Sequence, residues 1–353
     1  MKKQYFTYKE IATQVESWGK VYSDIVGEKV GLNLNILSDD YDEVIFYGCG
    51  SSYNLSMSAS FFTKSLLNGK NCLALPSSEF LINKDTYIKK NKKYLIIGFS
   101  RSGETTESKK VVNNLKGNNN ITIFNISCRK GSTIVNLSDN YFICRETDEK
   151  SVVMTKSFST MLFAYCLMLA KSLGKKDMLV EFKYLIDYLS KNISGLFETI
   201  ENYVSKNYFT SYFTLGSGFN YGLAVESDLK MKEMSQTHSY SYHLYEINHG
   251  PKSLINTKSL CLILTLGKNL FKSKEIIKEI LNLGSKVLVI CSKRINRIRD
   301  KNINYILCDS YFKFDVIESF INIPVFHILA YVKTINENLD PDKPKNLDYT
   351  TII

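Results

Sequence analysis

Short apolar runs that end in a polar or glycine-rich loop recur along this chain. Val44-Ile45-Phe46-Tyr47 leads into Gly48, Tyr94-Leu95-Ile96-Ile97 leads into Gly98, and Ile121 to Ile126 forms a third run. They are rich in β-branched and aromatic residues and lack polar alternation, as expected of strands buried on both faces of a parallel sheet. Between the second and third runs, Glu104 to Leu115 has helical character. Strand, loop and helix in alternation predict a doubly wound α/β sheet.

The second half repeats the scheme. Tyr212-Phe213-Thr214-Leu215 runs into Gly216, which matches Gly48 at an offset of 168 residues. Leu262-Ile263-Leu264 matches Leu95-Ile96-Ile97 at 167, and the run ending at Cys291 matches the one ending at Cys128 at 163. Agreement in both order and spacing predicts an internal duplication of one α/β unit. The expected domains are a helical N-terminal arm (1–37), a first α/β domain (38–175), a helical connection (176–206), a second α/β domain (207–337) and an irregular tail (338–353). Thr155 to Ser205 reads as one long helical stretch that joins the halves. Pro324 marks a bend or a start in a C-terminal helix, and Pro341 and Pro344 keep the tail from being a regular helix.

Two loops stand where an α/β sheet places its ligands, beyond the carboxyl ends of strands. Gly48-Cys49-Gly50-Ser51-Ser52 offers close backbone approach and two hydroxyls. Ser100-Arg101-Ser102-Gly103-Glu104-Thr105 offers three hydroxyls at a helix start, where the dipole favours an anion. Neither is a nucleotide-binding Gly-Lys-Ser/Thr or G-x-G-x-x-G loop. Either alone could be a plain helix cap, with Ser100 or Ser102 as N-cap. The pair points to a phosphate monoester on a small molecule.

Composition changes this picture little. The net charge of +10 is spread along the chain apart from Lys293 to Lys301, with no nucleic-acid motif beside it, and an anionic substrate accounts for part of it. Nucleic acid is not expected as a partner. No apolar run reaches the length of a membrane span, so no membrane is expected as a partner, and no apolar segment follows the basic start as in a secretory leader. The eight cysteines are scattered without a C-x-x-C pair, which argues for a reducing cytoplasm and against disulfides or a zinc site. No metal or organic cofactor is expected.

The two loops resemble the phosphate loops of the sugar isomerase (SIS) family. That family includes the isomerase half of glucosamine-6-phosphate synthase and the fructosamine-6-phosphate deglycases. The resemblance runs from about Val44 to Leu347. It includes Ser151-Val152-Val153-Met154-Thr155-Lys156-Ser157-Phe158, similar to the family's sugar-contacting segment. It implies two tandem flavodoxin-like SIS domains, a phosphorylated sugar or sugar-amine substrate, and a homodimer or higher homo-oligomer with shared active sites. The implied phosphate contacts are Cys49, Gly50, Ser51, Ser52, Ser100, Arg101, Ser102 and Thr105, and the implied sugar contacts are Val152, Val153 and Glu226.

Glu226, Lys230 and Glu233 are spaced to share one helix face. Such a face is most often a solvated, salt-bridged surface. Here the helix follows the second half's own glycine loop. His249-Gly250-Pro251 comes sixteen residues after Glu233, about 24 Å away were the helix to continue, so the two meet only if the chain turns back or another subunit supplies the histidine. By resemblance, Glu233 is the base that moves a proton between C1 and C2 of the open-chain sugar. Lys230 holds charge beside it, and His249 is the ring-opening or leaving-group acid from a neighbouring protomer. Carboxylate and imidazole suit proton transfer near neutrality. His238 and His243 read as structural, and His327 as a core histidine.

Three departures from the synthase pattern matter. Residue 2 is Lys2 rather than a cysteine nucleophile and the SIS pattern begins within fifty residues, so glutamine-dependent amidotransfer is not expected. Tyr349 stands where the synthase tail has its sugar-binding lysine, which argues against a Schiff base unless Lys343 or Lys345 shifts into its place. Val153-Met154 is bulkier than the synthase's small residues. The expected activities are deglycation of a fructosamine 6-phosphate, aldose–ketose isomerisation, or deamination of an amino sugar phosphate. The rival from another class is a non-catalytic phosphosugar-binding regulator.

Overall fold

A computed structural model describes residues 4–28, 34–145, 147–264, 269–292, 297–308 and 311–350. The basic stretch at 293–301 lies partly outside them, as do both chain ends. Two five-stranded sheets, parallel throughout, account for the strands among these residues. The first contains β1 (Glu43–Gly48), β2 (Asn71–Pro76), β3 (Tyr94–Ser100), β4 (Ile121–Ser127) and β5 (Asn140–Ile143), in the order β2-β1-β3-β4-β5. The second contains β6 (Ser211–Gly216), β7 (His238–His243), β8 (Ser259–Leu264), β9 (Lys286–Ser292) and β10 (Ile303–Cys308), in the order β10-β9-β8-β6-β7. Read from the opposite edge, the second order is the first one repeated. The expected duplication is therefore real, and β6, β8 and β9 are the counterparts of β1, β3 and β4.

The two halves repeat one backbone device. Each first strand ends in a glycine whose Cβ would collide with the next helix: 2.5 Å from the Ser52 carbonyl carbon at Gly48, and 2.2 Å from the Asn220 carbonyl oxygen at Gly216. Two residues on, Gly50 and Gly218 take left-handed φ values of 53° and 61° and open helices Ser51–Leu66 and Phe219–Ser235. A side chain at either position is strained. The hydroxyls differ, since Ser51-Ser52 in the first half is Phe219-Asn220 in the second. Only the first copy carries a pair of hydroxyls in the opening turn of its helix.

The central strands β1, β3 and β8 are buried at every position, which is why their apolar runs were readable. Strands β2, β5, β7 and β10 were not anticipated. They lie at or next to sheet edges and mix exposed with buried positions, as in the half-exposed His238–His243. The helical stretch expected from Thr155 is built from two helices, Lys156–Ser172 and Lys176–Lys206, separated at Gly174 with φ 62°. Pro324 is the third residue of helix Asn322–Asn336 and marks its start.

The chain forms two compact units. One comprises Met1–Ala12 and Asp187–Leu347 and carries the second sheet; the other comprises Thr13–Ile186 and Asp348–Ile353 and carries the first. Helices Phe6–Val26 and Lys176–Lys206 contribute to both. Within the first-sheet unit, Ile45, Tyr47, Ile96 and Ile123 pack against Val111, Val112 and Leu115 of helix Thr106–Leu115. Within the other, Phe213, Leu215, Ile263 and Val289 pack against Ile276, Ile277 and Ile280 of helix Asn269–Asn282. One stretch, Asp315–Asn336, is long and apolar enough by composition to cross a membrane, although scattered polar residues break its apolar run; 89% of its most apolar window is buried, as in a core helix.

The tail also serves the second-sheet unit. Asp342 accepts hydrogen bonds from the Phe6 and Thr7 backbone N–H groups at 2.9 and 2.8 Å and from the Thr7 hydroxyl at 2.7 Å. A carboxylate from the far end of the sequence thus caps helix Phe6–Val26, whose first amides have no partner within the helix.

Candidate active site

In the first-sheet unit, the two expected loops follow neighbouring strands, β1 and β3. The first loop places Ser51 and Ser52 in the opening turn of helix Ser51–Leu66, both nearly buried. Cys49 sits beside them, its sulfur 3.7 Å from the Ser108 hydroxyl, which in turn lies 3.0 Å from that of Ser77. Burial pushes the Cys49 thiol above its usual range, against hydrogen bonds from Ser77 and Ser108. It is a neutral lining group and not a thiolate.

The second loop is held by its own side chains. Ser100 Oγ accepts the Gly103 N–H at 3.0 Å, and Ser102 Oγ accepts the Glu104 N–H at 3.2 Å. Neither serine caps the helix, which starts from Thr105 without a side-chain cap. A hydroxyl that already accepts from a backbone amide still has its own O–H to donate. Two buried hydroxyls are thus fixed in place as donors suited to an anion. Glu104 braces the loop from outside by accepting the Thr133 N–H and hydroxyl, both at 2.8 Å. Burial alone would raise its pKa, but those bonds and Lys109 hold it below the usual carboxylate range.

Arg101, expected at the phosphate, is used differently. Its guanidinium donates to Glu149 Oε2 at 3.2 Å, to the Ser151 and Val152 carbonyls at 3.4 and 2.9 Å, and to the Tyr349 carbonyl at 2.8 Å. It also stacks on the Tyr349 ring, 3.8 Å from the centroid. Arg101 is 7% exposed and Glu149 3%. Four acceptors take the N–H groups of Nη1 and Nη2, so Arg101 ties its loop to the Val152-Val153 segment and to the tail. Glu149 is a hub that the sequence did not flag. Besides Arg101, it accepts the Thr155 and Ser157 N–H groups at 2.8 and 2.9 Å and the hydroxyls of both residues, at the start of helix Lys156–Ser172. Its partners lie six, eight and 48 residues away, so no local spacing could have revealed it.

In the second-sheet unit, helix Phe219–Ser235 carries the expected acid–base set. Glu226 and Lys230 are fully buried, while the Glu233 side chain keeps 21% exposure. The face is a desolvated cluster and not a solvated surface. Lys230 Nζ lies 3.4 Å from Glu226 Oε1 and forms a short hydrogen bond to Glu233 Oε2. Burial alone would depress the lysine pKa, but Glu226 and Glu233 outweigh it and raise the value, so the ammonium stays charged. Glu233 therefore lies against a buried cation and is open on one side.

Helix Phe219–Ser235 ends at Gln236 in a left-handed cap, and the chain returns as β7. His249 follows in an exposed loop between two short 3-10 turns. Among the described residues it makes no ion pair or hydrogen bond with Glu233. His243 is exposed and stacks on Tyr221, ring centroids 3.6 Å apart. His238 is exposed at the start of β7, and His327 is fully buried.

Comparison with known proteins agrees with this architecture. The family model described as SIS domain matches residues 37–171 and 210–309, which covers both sheets and both serine loops. The chain belongs to the SIS family. This SIS chain is 28% identical over 341 residues to glutamine–fructose-6-phosphate aminotransferase of Vibrio cholerae, covering 93% of this chain and 55% of that protein. It spans about half the length of the curated relatives it matches. A Thermotoga maritima structure described as glucosamine-6-phosphate deaminase is 28% identical with a TM-score of 0.81, covering 99% of this chain and all of that one. Escherichia coli tagatose-6-phosphate ketose/aldose isomerase shares the fold, with a TM-score of 0.83 at 21% identity over 99% of this chain and 97% of that one.

Proposed function

We propose that this protein releases an amine from a 6-phosphorylated sugar, acting on a fructosamine 6-phosphate or an amino sugar 6-phosphate, with Glu233 as the proton carrier. The observation that carries the reading is the buried Glu226–Lys230–Glu233 cluster, in which only Glu233 keeps an open side. Glu233 takes the proton from C1 of an open-chain ketoamine, or from C2 of an open-chain amino aldose. The electron pair left behind forms an enaminol as the carbonyl oxygen takes a proton from solvent, and Glu233 returns its proton to the other carbon of the pair while the nitrogen gives one up to solvent. That produces an imine; water adds to it and the amine leaves, giving a hexose 6-phosphate. Lys230 holds the Glu233 side chain in place. Ser51, Ser52, Ser100 and Ser102 donate to the phosphate.

His249 is the ring-opening acid of a neighbouring protomer's site, a role its exposure supports. Direct acid–base chemistry, with no Schiff base to the protein, is supported by Tyr349, whose ring lies on Arg101 at the position where the synthase has its lysine. The similarity to a structure described as a glucosamine-6-phosphate deaminase supports amine release. Eight unpaired cysteines support a cytoplasmic setting.

The test is a panel of fructosamine 6-phosphates, amino sugar 6-phosphates and plain aldose and ketose 6-phosphates, assayed for amine release and for isomerisation. Glu233→Gln should lower kcat on the amine substrates by roughly 10²- to 10⁴-fold. Isomerisation without amine release would reassign the protein to aldose–ketose isomerisation. Tight phosphosugar binding with no turnover would make it a regulator.

A further inference from the structure

The helix that carries Glu233 ends in a strained residue. Gln236 closes helix Phe219–Ser235 with φ 53°, a left-handed conformation that is unfavourable for any residue with a Cβ. Among the described residues, four non-glycines take such a φ: Glu28, Gln236, Asn338 and Asn346. Asparagine adopts it at lower cost, and Glu28 has an ion pair to Lys171 at 3.1 Å. Gln236 has neither excuse. Its side chain is exposed and makes no hydrogen bond among the described residues.

Its neighbours hold the strain. Ser235 and Thr237 are 4% and 8% exposed, and their hydroxyls lie 2.8 Å apart. Ser235 Oγ also donates to the Met231 carbonyl at 2.7 Å. A buried residue on each side fixes the turn and leaves Gln236 facing outward. Strained backbone of this kind persists only where its surroundings over-determine it, and it concentrates at functional sites. Glycine would cap the same helix without strain, so the use of a glutamine here lies in its side chain.

The Gln236 N–H still bonds the Lys232 carbonyl at 3.1 Å, so its Cα continues the helical path, one turn beyond Glu233. Residues three apart are neighbours on a helix surface. Glu233 is the cluster member with an open side. Its proton transfer takes place at C1 or C2 of the sugar, and one of those carbons bears the nitrogen. A group one turn from Glu233 therefore lies at the amine end of the substrate.

We infer that Gln236 determines amine specificity: its side-chain amide donates to an oxygen on the substituent of the departing nitrogen and so favours a carboxylate-bearing amine over an alkylamine. A primary amide has two N–H donors and a carboxylate offers only acceptors, whereas an alkyl substituent offers no partner. The inference rests on the function proposed above and narrows its substrates to the fructosamine 6-phosphates of amino acids.

Two variants and two near-isosteric substrates test it. The substrates are the fructosamine 6-phosphates formed from glycine and from ethylamine. Gln236→Ala removes the amide and keeps the strain, and Gln236→Gly removes both. Each should lower kcat/KM on the glycine compound by roughly 10- to 100-fold, as for a lost hydrogen bond to a charged group, and should leave the ethylamine compound within ~2-fold. Gln236→Gly should also raise the thermal midpoint of the second-sheet unit by about 2–4 °C. Equal losses on the two compounds, no loss on the glycine compound, or a Gln236→Gly variant no more stable than wild type would overturn the inference. Amine release confined to amino sugar 6-phosphates would overturn it too. If wild type releases no amine from any panel member, the proposed function fails and isothermal titration decides the inference alone. Wild type should then bind the glycine compound more tightly than the ethylamine one, and Gln236→Gly should bind them equally; equal binding by wild type would overturn it.

Discussion

Replacing Glu149 with alanine tests how the Ser100–Thr105 loop is held. The side chain is 3% exposed and accepts from Arg101, from two backbone N–H groups and from two hydroxyls. Removing it leaves the Arg101 guanidinium buried without a counter-charge and strips the Thr155 and Ser157 amides of their acceptor. Breaking one half of a buried ion pair costs about 3–5 kcal/mol. Arg101 keeps three carbonyl acceptors in Ser151, Val152 and Tyr349, which puts the expectation near ~3 kcal/mol, the lower end of that range. At about 2–4 °C per kcal/mol for a unit of 150–250 residues, the transition of the first-sheet unit should fall by roughly 6–12 °C. Scanning calorimetry with and without inorganic phosphate measures it. Phosphate should stabilise the variant less than wild type, because Arg101 lies between the donors Ser100 and Ser102. The double variant Arg101→Met/Glu149→Leu should lose less than the sum of the single changes, since apolar replacement removes both desolvated charges together. A loss below about 1 kcal/mol in Glu149→Ala, or strict additivity in the double variant, would refute the view that this pair anchors the loop.

The remaining predictions concern other links. Ser100→Ala with Ser102→Ala should weaken phosphosugar binding by roughly 10- to 100-fold, at about 1–1.5 kcal/mol per lost hydrogen bond; isothermal titration reads it, and unchanged affinity would remove the hydroxyls from the phosphate. Because His327 is held well below its usual pKa, the unfolded chain binds its proton first. That residue's stability is therefore complete above about pH 6.5 and is lost as pH falls below it, by up to ~1.4 kcal/mol per pH unit. Urea denaturation at pH 7.5, 6.5 and 5.5 should show this slope in wild type and a shallower one in His327→Gln; equal slopes would exclude His327 as its source. Asp342→Ala should cost about 1 kcal/mol through the lost cap on helix Phe6–Val26, visible as a small drop in the thermal midpoint of the second-sheet unit.

Much of the fold was legible because its strongest signals are local. Strands β1, β3, β4, β6, β8 and β9 bury continuous apolar runs, and burial on both faces forces that composition whatever the surroundings. The glycine pairs Gly48/Gly50 and Gly216/Gly218 were legible for a related reason: a close helix approach and a left-handed φ each demand glycine at a fixed place. The edge strands β2, β5, β7 and β10 were not, because half-exposed strands such as His238–His243 carry polar residues that resemble loops. The spacing of Glu226, Lys230 and Glu233 put them on one helix face. It could not say whether that face meets water or protein, and the usual answer for such a face, a solvated surface, is the wrong one here.

The sequence by itself determined a duplicated α/β chain with two serine loops and one helix face bearing two acids and a lysine. Tertiary structure decided what each charge is for. Arg101 sits in a phosphate loop by sequence, yet its guanidinium is spent on Glu149, three backbone carbonyls and the Tyr349 ring, because partners up to 248 residues away reach it only after folding. Likewise Lys230 becomes a buried cation only once the chain has folded, with helix Asn322–Asn336 packed on its own helix. Local sequence fixes backbone conformation and which faces are apolar. The pairing of buried charges depends on contacts between distant segments, and those exist only once the chain is folded.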